Sequence, residues 1–250
     1  VTTDSERQRL EKRGEAALAA VEDLAADRDQ SVTTALLEGA PAVRISEYAA
    51  EQDADLLVLG RQGMTGLGRR LLGGVTERVL HHSDVPVFVS PGAGDLTADG
   101  YDRALLPTDG SENAAAAAPH VAAIARRYDA AVHALNVVDL QAAGGVFSAG
   151  GLETEFVERL EARGREAVGG VADEVAATAP DLTVTTAVER TQSYSGVGPG
   201  IREYVEENDI DLVVMGSHGR SNLRRQFVGS VASAVLRSVD VPVLVVKRTD

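Results

Sequence analysis

Asp211-Leu-Val-Val-Met-Gly216-Ser-His-Gly219, then after nine residues Gly229-Ser230, then Val241-Pro-Val-Leu-Val-Val246, is the stretch that decides the fold. Its two short runs are continuously apolar and rich in β-branched residues, which suits strands of a parallel sheet covered on both faces. The same pattern stands earlier as Asp55-Leu-Leu-Val-Leu-Gly60, Gly63, Gly73-Gly74 and Val85-Pro-Val-Phe-Val89. Gly60 and Gly216 lie 156 residues apart, as do Gly63 and Gly219, Leu67 and Leu223, Gly73 and Gly229, and Pro86 and Pro242, with no gap between. A constant offset of this kind marks an internal duplication.

Working outward in the later copy, Arg103 to Thr108 reads as a strand. Asp109-Gly110-Ser111 is a turn and N-cap cluster that opens an alanine-rich helix from Glu112 to Tyr128. Ala131 to Val138 is a second strand, and a long amphipathic helix runs from about Glu153 to Thr178, stopped by Pro180. Leu182 to Val188 is a third strand, Ile201 to Asn208 a short helix and Leu212 to Met215 a fourth strand. Gly229 to Ser238 is a helix and Pro242 to Val246 a fifth strand. This alternation predicts an α/β fold, an open parallel sheet wound by right-handed crossovers.

The earlier copy is incomplete. Residues 4 to 28 match the long helix and Val32 to Leu36 the third strand, and nothing in the sequence matches the first two strands and first helix. Either the natural protein starts earlier or a half-domain completes its sheet with another chain. The strand near Val32 is expected beside Leu56 to Leu59 or against another chain. The resulting division is a partial domain over 1–92, a linker over 93–100 and a complete domain over 101–250.

Composition narrows the function classes. With 38 acids against 24 bases the formal net charge is −14, which repels phosphate backbones at long range and argues against broad nucleic-acid binding. There is no cysteine, so no disulfide, thiol nucleophile or thiolate metal site. The longest apolar runs fall far short of a membrane span and no basic-then-apolar leader opens the chain, so it reads as cytoplasmic. Lys12 and Lys247 are the only lysines, and aromatics make up 4%. That balance suits either a halophilic protein solvated in molar salt or an ordinary acidic protein from a GC-rich genome.

The chemistry-bearing residues gather at strand ends. Gly216 and Gly219 let the chain turn sharply and bring amides near a ligand. Gly229 and Ser230 open a helix, whose unpaired amides and positive end suit phosphate. Carboxyl ends of parallel strands are where open α/β sheets take ligands. Asp109, at the end of the first strand, would face the same crevice and accept hydrogen bonds from an adenine amino group or ribose hydroxyls. Its alternative role is a helix N-cap or Asx turn. Arg220, Arg224 and Arg225, like Arg69 and Arg70 in the first copy, either grip a triphosphate or are solvated loop charges. His218 is better placed than His81, His82, His120 or His133, as a ribose or phosphate neighbour more than as a catalytic base. Gln141 to Gly151 reads as a lid or surface loop. No zinc-site spacing, Gly-x-Ser-x-Gly elbow or P-loop lysine is present.

These residues resemble the universal stress protein (UspA) family, in its tandem-domain, ATP-binding form. The resemblance covers one full copy from about 101 to 248 and the later part of another from 1 to 90. The family's Gly-x2-Gly-x9-Gly-(Ser/Thr) string stands here as Gly216, Gly219, Gly229 and Ser230. The resemblance implies that Pro107, Thr108, Asp109 and Val137 line an adenine, and that Met215, His218 and Val231 flank ribose and phosphates. Gly60, Gly63 and Gly73 keep the string in the first copy, but Gly74 replaces the hydroxyl residue, and the loss of one such contact typically weakens binding by about 1 kcal/mol. No aspartate-bearing first strand accompanies them, so the nucleotide is expected mainly in the second domain. The family implies a Rossmann-like sheet of order 3-2-1-4-5 that dimerises through fifth strands, so Val243 to Val246 and Val87 to Val89 would pair as an internal pseudo-dimer. It implies ATP or another adenine nucleotide, with Mg or Mn on its phosphates, in a stress-response regulatory module with an unidentified protein partner. The alternatives are a slow metal-dependent ATP hydrolase and a nucleotide-independent dimerising scaffold that regulates a transporter or kinase.

Overall fold

The computed structural model describes residues 4–62, 71–92, 100–141, 154–191, 196–219 and 228–248. In chain order these form α1 (Asp4–Ala26), α2 (Pro41–Glu51), β1 (Leu57–Gly60), α3 (Gly74–His82), β2 (Val87–Ser90) and β3 (Arg103–Pro107). There follow α4 (Glu112–Ala115), α5 (Ala118–Tyr128), β4 (Ala131–Asp139), α6 (Thr154–Thr178), β5 (Val184–Thr191), α7 (Val197–Glu207), β6 (Leu212–Gly216), α8 (Ser230–Ser238) and β7 (Val243–Val246).

The strands join one seven-stranded sheet in the order β1-β2-β7-β6-β3-β4-β5. Within the later copy the order is 3-2-1-4-5 in that copy's own strand count, all parallel, as expected. The two copies meet where β2 runs antiparallel to β7, with Phe88 opposite Leu244 and Val87 opposite Val245. The fifth strands therefore do pair, and they fuse what the repeat predicted as two sheets into a continuous one. β6 and β7 are buried along their whole length because each has a strand on both sides and helices on both faces. On one face the core runs unbroken across the seam, from Val79, Leu80 and Val87 to Leu236, Val243 and Val245. The other face packs Leu106, Val121, Val132 and Val168 with Leu212, Val214 and Leu244.

Two expectations need correction. Val32 to Leu36 is not a strand: it runs unpaired, with Thr34 Oγ1 donating to Glu22 at 2.6 Å and the Leu36 side chain against Gly14 of α1. In the 3-2-1-4-5 order a third strand borders the second, which the first copy lacks, so its backbone has no partner ladder to join. The helix expected from Glu112 to Tyr128 breaks at Ala116 and Ala117. Pro119, in the first turn of α5, has no N–H to give to the turn before it.

Asymmetry between the copies is visible at the surface. Of the exposed large apolar side chains described, all but Tyr128 precede residue 76, and Val58 of the edge strand β1 is 64% exposed. α1 buries none of its residues, whereas its counterpart α6 buries Gly164, Ala167, Val168, Val171 and Val175. No helix among the described residues is long and apolar enough to cross a membrane.

Candidate functional site

At the carboxyl ends of β3 and β6 the sheet splits open. A cleft of about 310 Å³ lies there, with walls from β3, β4, β6, α7 and the start of α8. Pro107, Thr108, Asp109, Val137, Met215, Gly216, His218, Gly219, Ser230 and Val231 all line it. These residues are up to 124 positions apart, from Pro107 to Val231, and the parallel topology alone brings them together. Arg220 and the other loop arginines, with Gly63, lie outside the described residues, as does most of Gln141 to Gly151.

The walls of the cleft differ in chemistry. On one wall, Asp109 Oδ1 accepts from Ser111 N at 3.0 Å, so the Asx turn and the crevice position are both realised by one carboxylate. Ser111 caps α4 by accepting from Ala114 N at 3.2 Å, and Thr108 Oγ1 accepts from Gly110 N at 3.1 Å. The Asp109 carboxylate sits so close to Gly219 that a Cβ there would overlap Oδ2. Another wall is the start of α8. The first-turn amides of Ser230, Val231 and Ala232 have no acceptor within their own helix, and they add to its positive pole.

Two glycines of the string also have roles in packing and in the backbone. The Gly229 amide is not open to a ligand, because it donates to Ser217 O at 2.8 Å and so pins the start of α8 to the end of β6. The first-copy Gly73 amide makes the matching bond to Arg61 O at 2.8 Å. Gly216 is required by packing: an added Cβ would overlap the Asn113 carbonyl and lie 3.1 Å from Ala114 Cα. α4 thus lies directly on the strand end, and Asn113 Nδ2 ties it to Gly219 O at 3.3 Å.

His218 shares a hydrogen bond of 2.9 Å between its Nδ1 and Ser217 Oγ, while its Nε2 is buried without a partner among the described residues. Burial holds its pKa below the ordinary histidine value, helped by Lys247 and His81, so the ring is neutral at pH 7. With one nitrogen engaged and the other sealed from water, it is poorly placed for general-base work. Burial also lowers His120, and it lowers His133 with help from Arg103. Each of the three binds a proton less readily folded than unfolded. Their contribution to stability is complete above the unfolded value of about 6.5 and declines as pH falls toward the lower folded values. The urea midpoint is therefore expected to drop between pH 7.5 and pH 5, less steeply in His218→Gln. A midpoint that is flat or rises over that interval contradicts this.

In the first copy Gly60 O accepts from Thr76 Oγ1 at 2.8 Å, and Gly73 and Gly74 open α3. This copy also braces the second. Arg61, 4% exposed, donates to Val239 O at the end of α8 at 2.6 Å. Lys247 donates to His81 O near the end of α3 at 2.9 Å. Each copy thus sets a cation at the negative end of the other's helix. Asn113, Asn136, Ser217 and Arg61 escaped the sequence reading. For Arg61 the signal is present, since the 156-residue offset sets this long cation opposite Ser217. For Asn113 and Asn136 there is none, because only the folded chain brings them to the strand ends.

The sequence model of the Universal stress protein family matches residues 1–91 and 100–247. Universal stress protein MJ0531 of Methanocaldococcus jannaschii is 36% identical over 149 residues, covering 59% of this chain and 83% of its own. Universal stress protein Mb2028c of Mycobacterium bovis is 31% identical over 237 residues, covering 92% of this chain and 74% of its own. The crystal structure of a universal stress protein from Archaeoglobus fulgidus is similar in fold, with a TM-score of 0.67 at 22% identity, covering 100% of this chain and 81% of that one. With a duplicated motif, a five-stranded unit of order 3-2-1-4-5 and family similarity across both copies, the chain belongs to the universal stress protein family.

Proposed function

We propose that this protein is an adenine-nucleotide-binding regulatory module, with the nucleotide held in the cleft of the 101–250 domain and the 1–92 unit serving as its brace. The observation that carries this reading is the mixed lining of the cleft, with the Asp109 carboxylate, the first turn of α8 and apolar walls together in one space. A ligand that fits must offer hydrogen-bond donors to Asp109 and negative charge to the start of α8. It must also fill a space of about 310 Å³ with apolar walls from Val137, Ile201 and Met215. An adenine nucleotide meets all three demands, with ATP as the first candidate. A carboxylate near phosphates would repel them, so base and ribose belong beside Asp109 and phosphates beside Ser230. The described residues hold no group of three metal-ligating side chains, so Mg or Mn, if it accompanies the ligand, is bound chiefly through the phosphates.

Denaturing extraction of the purified protein, followed by mass spectrometry of the released small molecules, tests this directly. Gly229→Val is the paired variant, because a Cβ at Gly229 would already stand 3.2 Å from Ser217 O and 3.4 Å from His218 Cα. An adenine nucleotide recovered near one per chain from the parent, and reduced at least about tenfold in the variant, is the expected result, equivalent to about 1.4 kcal/mol of binding. If both extracts are empty and neither protein binds ATP on titration in high salt, the reading fails.

A further inference from the structure

We infer that Asn136 is a positioning residue of the cleft: its side-chain amide holds the Thr108 carbonyl, ends the β3–β4 ladder at Leu135 and leaves the Val137 peptide open to a ligand. The inference rests on the proposed nucleotide site, but its first readout needs no nucleotide.

The backbone parity of β4 sets the problem. Ala131 N donates to Asp102 O at 2.9 Å and Leu135 O accepts from Thr108 N at 2.8 Å, so odd-numbered residues turn their peptide groups toward β3. Val132 N donates to Thr183 O at 3.0 Å, so even-numbered residues turn toward β5. The N–H and C=O of Val137 consequently face β3, where the strand pairing has stopped at Pro107 opposite Leu135. One more rung would take the Val137 N–H to the Thr108 carbonyl.

That carbonyl is already engaged. Asn136 Nδ2 donates to Thr108 O at 2.7 Å. The Asn136 side chain leaves the sheet on the α6 face, where Gly164 makes room for it: a Cβ there would lie 2.6 Å from Asn136 Oδ1 and 2.9 Å from Val188 Cγ1. The Asn136 amide thus competes with the Val137 N–H for the Thr108 carbonyl. A donor and an acceptor are thereby left side by side at the strand switch, next to Asp109. A flat heteroaromatic ring carrying an acceptor beside a donor along one edge can use both.

Amide hydrogen exchange of the nucleotide-free protein, followed at Val137 by NMR, tests the role. Asn136→Leu keeps the volume but cannot donate, and Asn136→Asp keeps the shape and polarity but cannot donate either. In both, the ladder is expected to close by one rung, so that the Val137 amide exchanges about fivefold or more slowly than in the parent while the Leu135 amide is unchanged. ATP affinity should fall by about fivefold in the same variants. A Val137 amide already protected in the parent, or one that exchanges equally in all three folded proteins, overturns the inference. If exchange responds as expected while none of the three binds ATP, the positioning role stands and the nucleotide assignment falls.

Discussion

Gly216→Val is expected to lower the unfolding free energy by about 3 kcal/mol, the range of overpacking into a site that cannot yield. The atom an added Cβ would overlap is the main-chain carbonyl of Asn113, and Ala114 Cα stands 3.1 Å away, so no flexible side chain can swing aside. Relief requires α4 to lift from the end of β6, and α4 is capped by Ser111 and tied to Gly219 by Asn113. Under the proposed function the same movement carries Asp109 out of the cleft, so nucleotide retention should be lost even in the fraction that folds. Gly170→Ala is the counterpart: an added Cβ would meet nothing within 4 Å, and alanine in a helix interior should stabilise by up to about 1 kcal/mol. Urea denaturation of the three proteins in one buffer reads both. A Gly216→Val protein within about 1 kcal/mol of the parent would show that α4 is not fixed over the strand end.

Arg61→Met is expected to cost about 2 kcal/mol, the typical effect of leaving a buried carbonyl without its charged donor. Methionine keeps most of the apolar stem, so the loss is confined to the guanidinium and its bond to Val239 O. The second partner, Asp240 at 3.4 Å, is largely exposed and contributes little. Because Arg61 belongs to the first copy and Val239 to the second, the variant measures how far the copies stabilise each other across the β2–β7 seam. Adding Lys247→Met should produce a further, smaller loss, since Lys247 is held near the end of α3 in the reciprocal way. Unchanged stability of Arg61→Met would mean that the strand pairing and the shared apolar core hold the copies together without it.

The repeat made most of this architecture readable. Continuous apolar runs are strands in a sheet covered on both faces, and both the strand ends and the glycine string repeat at one offset. The cleft was legible for the same reason, since strand-end residues in a parallel sheet share one edge whatever their separation along the chain. Legibility failed where a residue's role depends on its neighbours. Val32 to Leu36 has strand-like composition, but a strand exists only if another backbone satisfies it. Gly216 lines the cleft and also makes room for α4, and Gly229 gives its amide to Ser217, roles that only the packed neighbours reveal.

By itself, the sequence determined the duplication and the parallel α/β class of the later copy, which follow from local pattern and from the chirality of βαβ connections. Its resemblance to the universal stress protein family supplied the strand order and most of the residues placed at the cleft. Tertiary structure alone decided the crossed grip of Arg61 and Lys247 and the backbone edge that β4 exposes at Val137. Those outcomes depend on which hydrogen-bonding groups remain unsatisfied once the elements have packed, and pairing between distant backbone groups leaves no periodic trace in the chain.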